Sequence, residues 1–175
     1  MRKNVAVIGI GNIAFQDDGV GPYVIEALAQ EEWPPGIELV DLGGAVYDLD
    51  TFLYQKDYVV LIQALRRGFS PGHVFCLGHE ELCRISREAC CTCVPTFRML
   101  SLANRLGFLP GEVNLIGIEP RKVCPGLGLS RELHPAVRRV VNLVKRKLRR
   151  YGHIPETGRV VPLTRYRLNL LEITI

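Results

Sequence analysis

Two runs in this chain, Val5-Ala6-Val7-Ile8 and Tyr58-Val59-Val60-Leu61-Ile62, are apolar at every position instead of every second one. A strand with one wet face alternates. A strand covered on both faces does not, and that pattern belongs to parallel sheets sandwiched between helices. Between and after these runs the chain supplies the helices. Gly21-Pro22 suits a helix start, because proline in the first turn gives up an N–H that has no helical partner there, and Val24, Ala27 and Leu28 form an apolar stripe. Pro34-Pro35-Gly36 stops this helix. Ile37–Leu42 then reads as a strand, Asp48–Tyr54 as a short helix, and Val74–Leu77 and Val113–Ile118 as further strands. Met99–Leu106 is helical in pattern, and a last helix from Pro135 repeats Val137, Val140, Val141, Val144 and Leu148 at helical spacing. Strands alternating with helices define an α/β chain: a three-layer α/β/α domain on a mainly parallel, twisted sheet of about five strands.

At 175 residues the chain suits one domain with a single substantial core. We place that domain at 1–152 and treat 153–175 as a C-terminal extension, where Tyr166, Leu168 and Leu170 alternate before the phase shifts through Leu171, Ile173 and Ile175. Such a strand either caps a sheet edge or pairs with a second subunit, so a monomer or a homodimer is expected. No segment approaches the roughly 20 apolar residues that cross a bilayer. The apolar run after Met1-Arg2-Lys3 passes into Asp17-Asp18 without a small-residue cleavage site, and so reads as a strand and not a leader. The expectation is a cytoplasmic protein with no membrane partner, its six cysteines kept as thiols or metal ligands in a reducing compartment. The net charge of +4 owes much to the helix between Arg138 and Arg150. That cationic face reads first as solvated surface and second as a docking surface for an acidic partner. It lacks the aromatic interleaving of single-strand binders, so no nucleic acid is expected.

Gly9-Ile10-Gly11-Asn12-Ile13-Ala14 follows the first strand and fits a dinucleotide fingerprint with alanine in the last place. Asp17-Asp18 then precede the helix, where a pyrophosphate would sit, and two carboxylates repel that anion. Asp41 also falls later than the ~20 residues past the fingerprint at which a ribose-binding acid is expected. A dinucleotide-binding protein therefore ranks last among the functions considered, and no organic cofactor is expected. In the other reading Gly11 and Asn12 shape a tight loop, and Asp17-Asp18 present carboxylates at the open end of the sheet. There they either hold a cation or only favour the following helix start.

Taken together, these segments resemble the hydrogenase maturation protease family. Gly9-Ile10-Gly11-Asn12 with Asp17-Asp18-Gly19-Val20-Gly21 is similar to its opening motif. Leu100-Ser101-Leu102-Ala103 through Leu106-Gly107-Phe108-Leu109-Pro110 resembles its helix and turn. Gly117-Ile118-Glu119-Pro120 and Gly126-Leu127-Gly128-Leu129-Ser130 resemble its strand end and the loop before its last helix. The likeness runs from Asn4 to about Leu148, in order and in register. It implies the α/β fold already read, and an endopeptidase that removes the C-terminal tail of a nickel-loaded hydrogenase large-subunit precursor. The precursor is then the partner, and the nickel is supplied by that substrate.

The resemblance also implies three metal-recognising positions, of which this chain keeps one. Asp18 matches the carboxylate of the opening motif; the position after the central strand is Gln63, and the expected histidine position is Thr92. An amide carbonyl and a hydroxyl are poor substitutes for a carboxylate and an imidazole toward nickel. Cys91 and Cys93 flank Thr92, with Cys90 beside them, and their thiolates are good soft-metal ligands. The other reading makes them small core residues, since Cys91-Thr92-Cys93 lacks the two-residue spacer of structural zinc sites. His73, His79, His134 and His153 all fall elsewhere, and His79 beside Glu80 and Glu81 reads as a surface residue. With no G-x-S-x-G and no H-E-x-x-H, peptide cleavage would use an activated water, with Asp18 as the catalytic group. Gly43 and Gly44 match a family loop that shapes the substrate cleft, as do Gly11 and Asn12. The altered pair Gln63 and Thr92 leaves a second possibility, a non-catalytic relative that binds a hydrogenase subunit or a metal without cutting.

Overall fold

The computed structural model describes residues 4–88 and 94–150. Its strands are β1 (Val5–Ile10), β2 (Ile37–Gly43), β3 (Tyr58–Ala64), β4 (Val74–Leu77) and β5 (Glu112–Ile118). They form one sheet in the order β2-β1-β3-β5-β4. All neighbours are parallel except β4, which runs antiparallel to β5 at the sheet's outer side. The helices are α1 (Val20–Leu28), α2 (Leu49–Leu53), α3 (His79–Glu88), α4 (Pro95–Leu106) and α5 (Leu133–Arg150).

The non-alternating runs have the cause inferred for them: every residue of β1 is buried, because helices cover both faces of the sheet. Val5, Val7, Tyr58, Val60 and Ile62 pack with the apolar stripes of α1 and α5. Ala6, Ile8, Ile10, Val59 and Leu61 face α2, α3 and α4. In α5 the buried set is Leu133, Ala136, Val140, Val144 and Leu148, spaced at three and four residues as a single helix face requires.

The observed boundaries differ from expectation in instructive places. Helix α4 starts at Pro95, not Met99, since a proline fits a first helical turn, and α5 starts two residues before Pro135. Helix α3 is absent from the sequence reading: most of His79–Glu88 is polar, and its apolar anchors reduce to Leu82 and Ile85 with Cys83 between. His79 is correspondingly not a surface residue. It is half-buried, and its Nδ1 accepts the Val113 backbone N–H at 3.1 Å. The C-terminal extension 153–175, and with it the expected edge strand, lies outside the described residues. Among the described residues, no helix is long and apolar enough to cross a membrane.

Candidate functional site

From β1 the chain crosses to β2 on one side, whereas β3 lies on the other. The carboxyl ends of β1 and β3 therefore flank a topological switch point, the place where open α/β sheets leave a crevice for ligands. The loop from Gly11 to Gly19 occupies this end, closing with a tight 3-10 turn over Gln16–Gly19 that packs against β3.

The glycines of the loop serve chain-against-chain packing. A β-carbon at Gly21, in the first turn of α1, would collide with the carbonyl oxygens of Ile10 and Ile62, so glycine is what lets the helix seat directly on β1 and β3. Gly11 has φ +136°, and a β-carbon there would collide with the Asp18 carbonyl oxygen. The space beside Gly11 is thus filled by the protein's own backbone, and this glycine serves the packing of the loop on itself.

The two neighbouring aspartates do different work. Asp17 is fully buried, and its hydrogen bonds go to a distant loop and not to the start of α1. Its Oδ2 accepts the backbone N–H groups of Arg121 and Lys122, each at 2.9 Å, and its Oδ1 accepts that of Ser130 at 2.6 Å. One carboxylate therefore gathers both ends of the loop between β5 and α5. The same two loops are stitched by backbone bonds: Gln16 N–H to Gly126 O at 3.0 Å, Gly126 N–H to Ala14 O at 2.9 Å, and Asp17 N–H to Lys122 O at 3.3 Å. This clamp holds Gln16 at φ +52°, a conformation that a non-glycine residue adopts only when its surroundings impose it. The Gln16 amide oxygen also accepts the Cys124 thiol at 3.2 Å. Beyond the clamp, Glu132 pairs with Arg121, and its own backbone amide, followed by Arg121, holds its carboxyl below the usual range.

Asp18 is half-buried. Its Oδ2 accepts the Asn12 backbone N–H at 2.7 Å, while Oδ1 has no hydrogen-bond partner among the described residues. Asn12 folds back in turn, its side-chain oxygen accepting the Ala14 N–H at 2.9 Å. Gly43 joins the group through its carbonyl, which accepts the Gly11 N–H at 2.9 Å. A β-carbon on Gly43 or Gly44 would meet nothing within 4 Å, so both border open space. Asp18, Gly11, Asn12 and Gly43 are thus brought together at the end of the sheet.

Gln63 is the last residue but one of β3, in register with Gly117 of β5. Its side chain is buried and turns to the α4 side, where Oε1 accepts the Thr96 hydroxyl at 2.6 Å. Thr96, in the first turn of α4 and 2% exposed, is a residue the sequence reading passed over. Thr92, Cys91 and Cys93 lie outside the described residues, as does Cys90.

The described donors alone do not amount to a resident transition-metal site. Asp18 brings one charged oxygen, Gln63 brings a neutral oxygen already engaged by Thr96, and no cluster of three His, Cys, Asp or Glu exists among the described residues. A metal that takes four or more strong donors is not satisfied by these described residues by themselves.

Two features fall on segments that the sequence reading quoted as motifs or passed over without assigning these residues a role. The loop after β3 is pinned by buried Glu119, whose Oε2 accepts the Arg67 N–H at 2.7 Å and whose backbone carbonyl accepts the Gly72 N–H at 2.8 Å. The rim of the crevice is apolar: Ile13 and Phe15 of one clamped loop, and Val123 and Leu127 of the other, are exposed, Leu127 by 80%.

A two-sided, mainly parallel sheet with a carboxylate-bearing loop at its switch point places the chain among small α/β domains whose ligand crevice lies at the carboxyl ends of the strands. The family model described as hydrogenase maturation protease matches residues 22–147, and the chain belongs to that family. It is similar to the hydrogenase expression/formation protein HoxM of Azotobacter vinelandii, with 30% identity over 143 residues, 77% of this chain and 69% of that one. Among solved structures, it is similar to the hydrogenase 2 maturation peptidase from a Thaumarchaeota archaeon, at 31% identity and a TM-score of 0.64 over 83% of this chain and 98% of the other. The hydrogenase maturating endopeptidase HybD from Escherichia coli shares the fold, with a TM-score of 0.77 at 24% identity over 85% of this chain and 94% of that one.

Proposed function

We propose that this chain is an endopeptidase that removes the C-terminal tail of a hydrogenase large-subunit precursor, and that nickel reaches the site as part of that substrate. Family membership across residues 22–147 carries the reading, and relatives named as maturation peptidases support it. The weak donor set of this chain is compatible with a metal that arrives already bound by the precursor.

The chemistry required is hydrolysis of one amide: a water oxygen adds to the carbonyl carbon, the C–N bond breaks, and the departing amine takes up a proton. Asp18 is the catalytic group in this scheme. Its Oδ1 is open to accept a proton from water while Oδ2 stays fixed on the Asn12 N–H, and a carboxylate so oriented acts as a general base. Gly43 and Gly44 keep the approach free of side chains. The apolar rim of Ile13, Phe15, Val123 and Leu127 suits the extended tail of a polypeptide, which buries apolar side chains as it docks.

The test is to incubate the full chain with a nickel-loaded hydrogenase large-subunit precursor and weigh the product by mass spectrometry. Loss of a C-terminal peptide is expected. A precursor left intact under conditions where a related maturation protease cuts its own substrate would refute the proposal.

A further inference from the structure

The cationic helix face that reads from sequence as solvated surface is, in the fold, one wall of a groove. Residues 139, 142, 146 and 149 recur at three and four positions along α5, which sets them in one row. Arg139, Asn142, Arg146 and Arg149 are all exposed. With Lys145, they line a groove of about 740 Å³ whose floor is apolar, made by Leu143 of α5 and Val74 of β4. The cations are unequally engaged. Lys145 pairs with Glu31 of the loop after α1, and Arg139 donates to the Gly72 carbonyl at 2.8 Å. Arg146 and Arg149 have no acidic partner among the described residues. Two guanidinium groups without a counter-charge beside an apolar floor form a site for a carboxylate-bearing chain, since arginine binds carboxylates through paired N–H donors.

Position connects this groove to the crevice. Gly72, the acceptor for Arg139, belongs to the loop that leaves β3 just after Gln63 and is held by Glu119. A chain lying in the groove would therefore run along β4, which pairs among the described residues only with β5, and reach the loop bordering Gln63.

We propose that this groove docks an acidic segment of the precursor polypeptide, outside the tail that is cut; the inference rests on the endopeptidase reading above. The charge of this chain's own residues 151–175 does not complement the groove: Glu156 and Glu172 stand against Arg159, Arg165 and Arg167, two acids against three arginines. Charge complementarity calls for the opposite sign. Among the described residues the lining holds no aromatic side chain, which disfavours single-stranded nucleic acid, whose bases stack on such groups.

The experiment uses the full chain and the variants Arg146→Glu/Arg149→Glu and Arg146→Lys/Arg149→Lys, with thermal melts confirming that each is folded. Fluorescence anisotropy follows a labelled oligoglutamate peptide and, separately, a labelled oligo-dT. The intact precursor is followed both for binding and for cleavage. Oligoglutamate and precursor should bind the wild type, weaken about tenfold or more on charge reversal and weaken less in the lysine pair, which keeps the charge but not the paired donors. In cleavage, the reversal should raise KM by a similar factor at constant kcat. Unchanged precursor binding after reversal, or oligo-dT binding more tightly than oligoglutamate, overturns the proposal. A wild-type chain that binds precursor but never cuts it refutes the endopeptidase reading. The effect of the reversal on that binding still decides for or against the groove.

Discussion

Replacing Asp17 separates a structural carboxylate from a catalytic one. The side chain is fully buried and receives three backbone N–H groups, from Arg121, Lys122 and Ser130. Hydrogen bonds to a charged partner contribute roughly 1.5–3 kcal/mol each, so the gross interaction is large. Much of it is offset: burying the carboxylate costs solvation, and the three donors belong to a loop that water can reach once the carboxylate is gone. The net loss for Asp17→Ala should be about 3–4 kcal/mol, near the lower range for breaking a buried charged contact. With a urea m-value of about 2 kcal/mol/M, the midpoint should fall by about 1.5–2 M. Asp17→Asn keeps an oxygen for Arg121 and Lys122 but turns a donor toward the Ser130 N–H, and should cost about 2 kcal/mol. Urea unfolding followed by circular dichroism gives both numbers. Limited trypsin digestion at Arg121 and Lys122 adds an independent readout, which should quicken in Asp17→Ala. A change below about 1 kcal/mol in the alanine variant would refute the clamp, as would a lower midpoint with unaltered cleavage at these two residues.

Asp18→Ala should abolish precursor cleavage by mass spectrometry while shifting stability by less than about 1 kcal/mol, because only the Asn12 N–H loses its acceptor; retained activity would remove Asp18 from the chemistry. Gly11→Ala should lower the thermal midpoint strongly, as it forces a side chain into φ +136° against the Asp18 carbonyl, whereas Gly44→Ala, with nothing within 4 Å, should leave it unchanged. Equal melts for the two would refute the packing account. Thr96→Val strands the buried Gln63 oxygen and should cost about 1–3 kcal/mol, with Gln63→Leu/Thr96→Val recovering part of the loss; strict additivity in that cycle would show the pair is not coupled. The isolated chain should bind nickel weakly in calorimetry under reducing conditions, and Gln63→Asp should tighten binding by restoring a charged oxygen. Tight wild-type binding that persists in Cys91→Ser and Cys93→Ser would overturn the weakened-site expectation.

How much of the site could be read in the sequence depended on whether a residue acts through its own neighbours or through distant ones. Val5–Ile8 and Tyr58–Ile62 betrayed a two-sided sheet because burial on both faces is written into consecutive positions. The glycines of the opening loop were likewise legible, since Asp18 beside Gly11 and Ile10 beside Gly21 belong to the same strand–loop–helix segment, although Gly21 also meets Ile62 of β3. Asp17 and Asp18 were not separable in this way. Adjacent residues on a tight turn point in different directions, and what distinguishes them is a loop more than 100 residues later, whose N–H groups converge on one carboxylate and not the other. The same holds for Gln63. As a sequence letter it records only a missing charge; in the fold it is an acceptor already satisfied by Thr96 of α4. Restoring a carboxylate at that position therefore alters two things at once, the charge beside the crevice and the fit of a shorter side chain to the Thr96 hydroxyl. Gln63→Glu keeps the reach and changes only the charge, so comparing it with Gln63→Asp tells whether a metal-binding gain comes from electrostatics or from freeing the oxygen from α4.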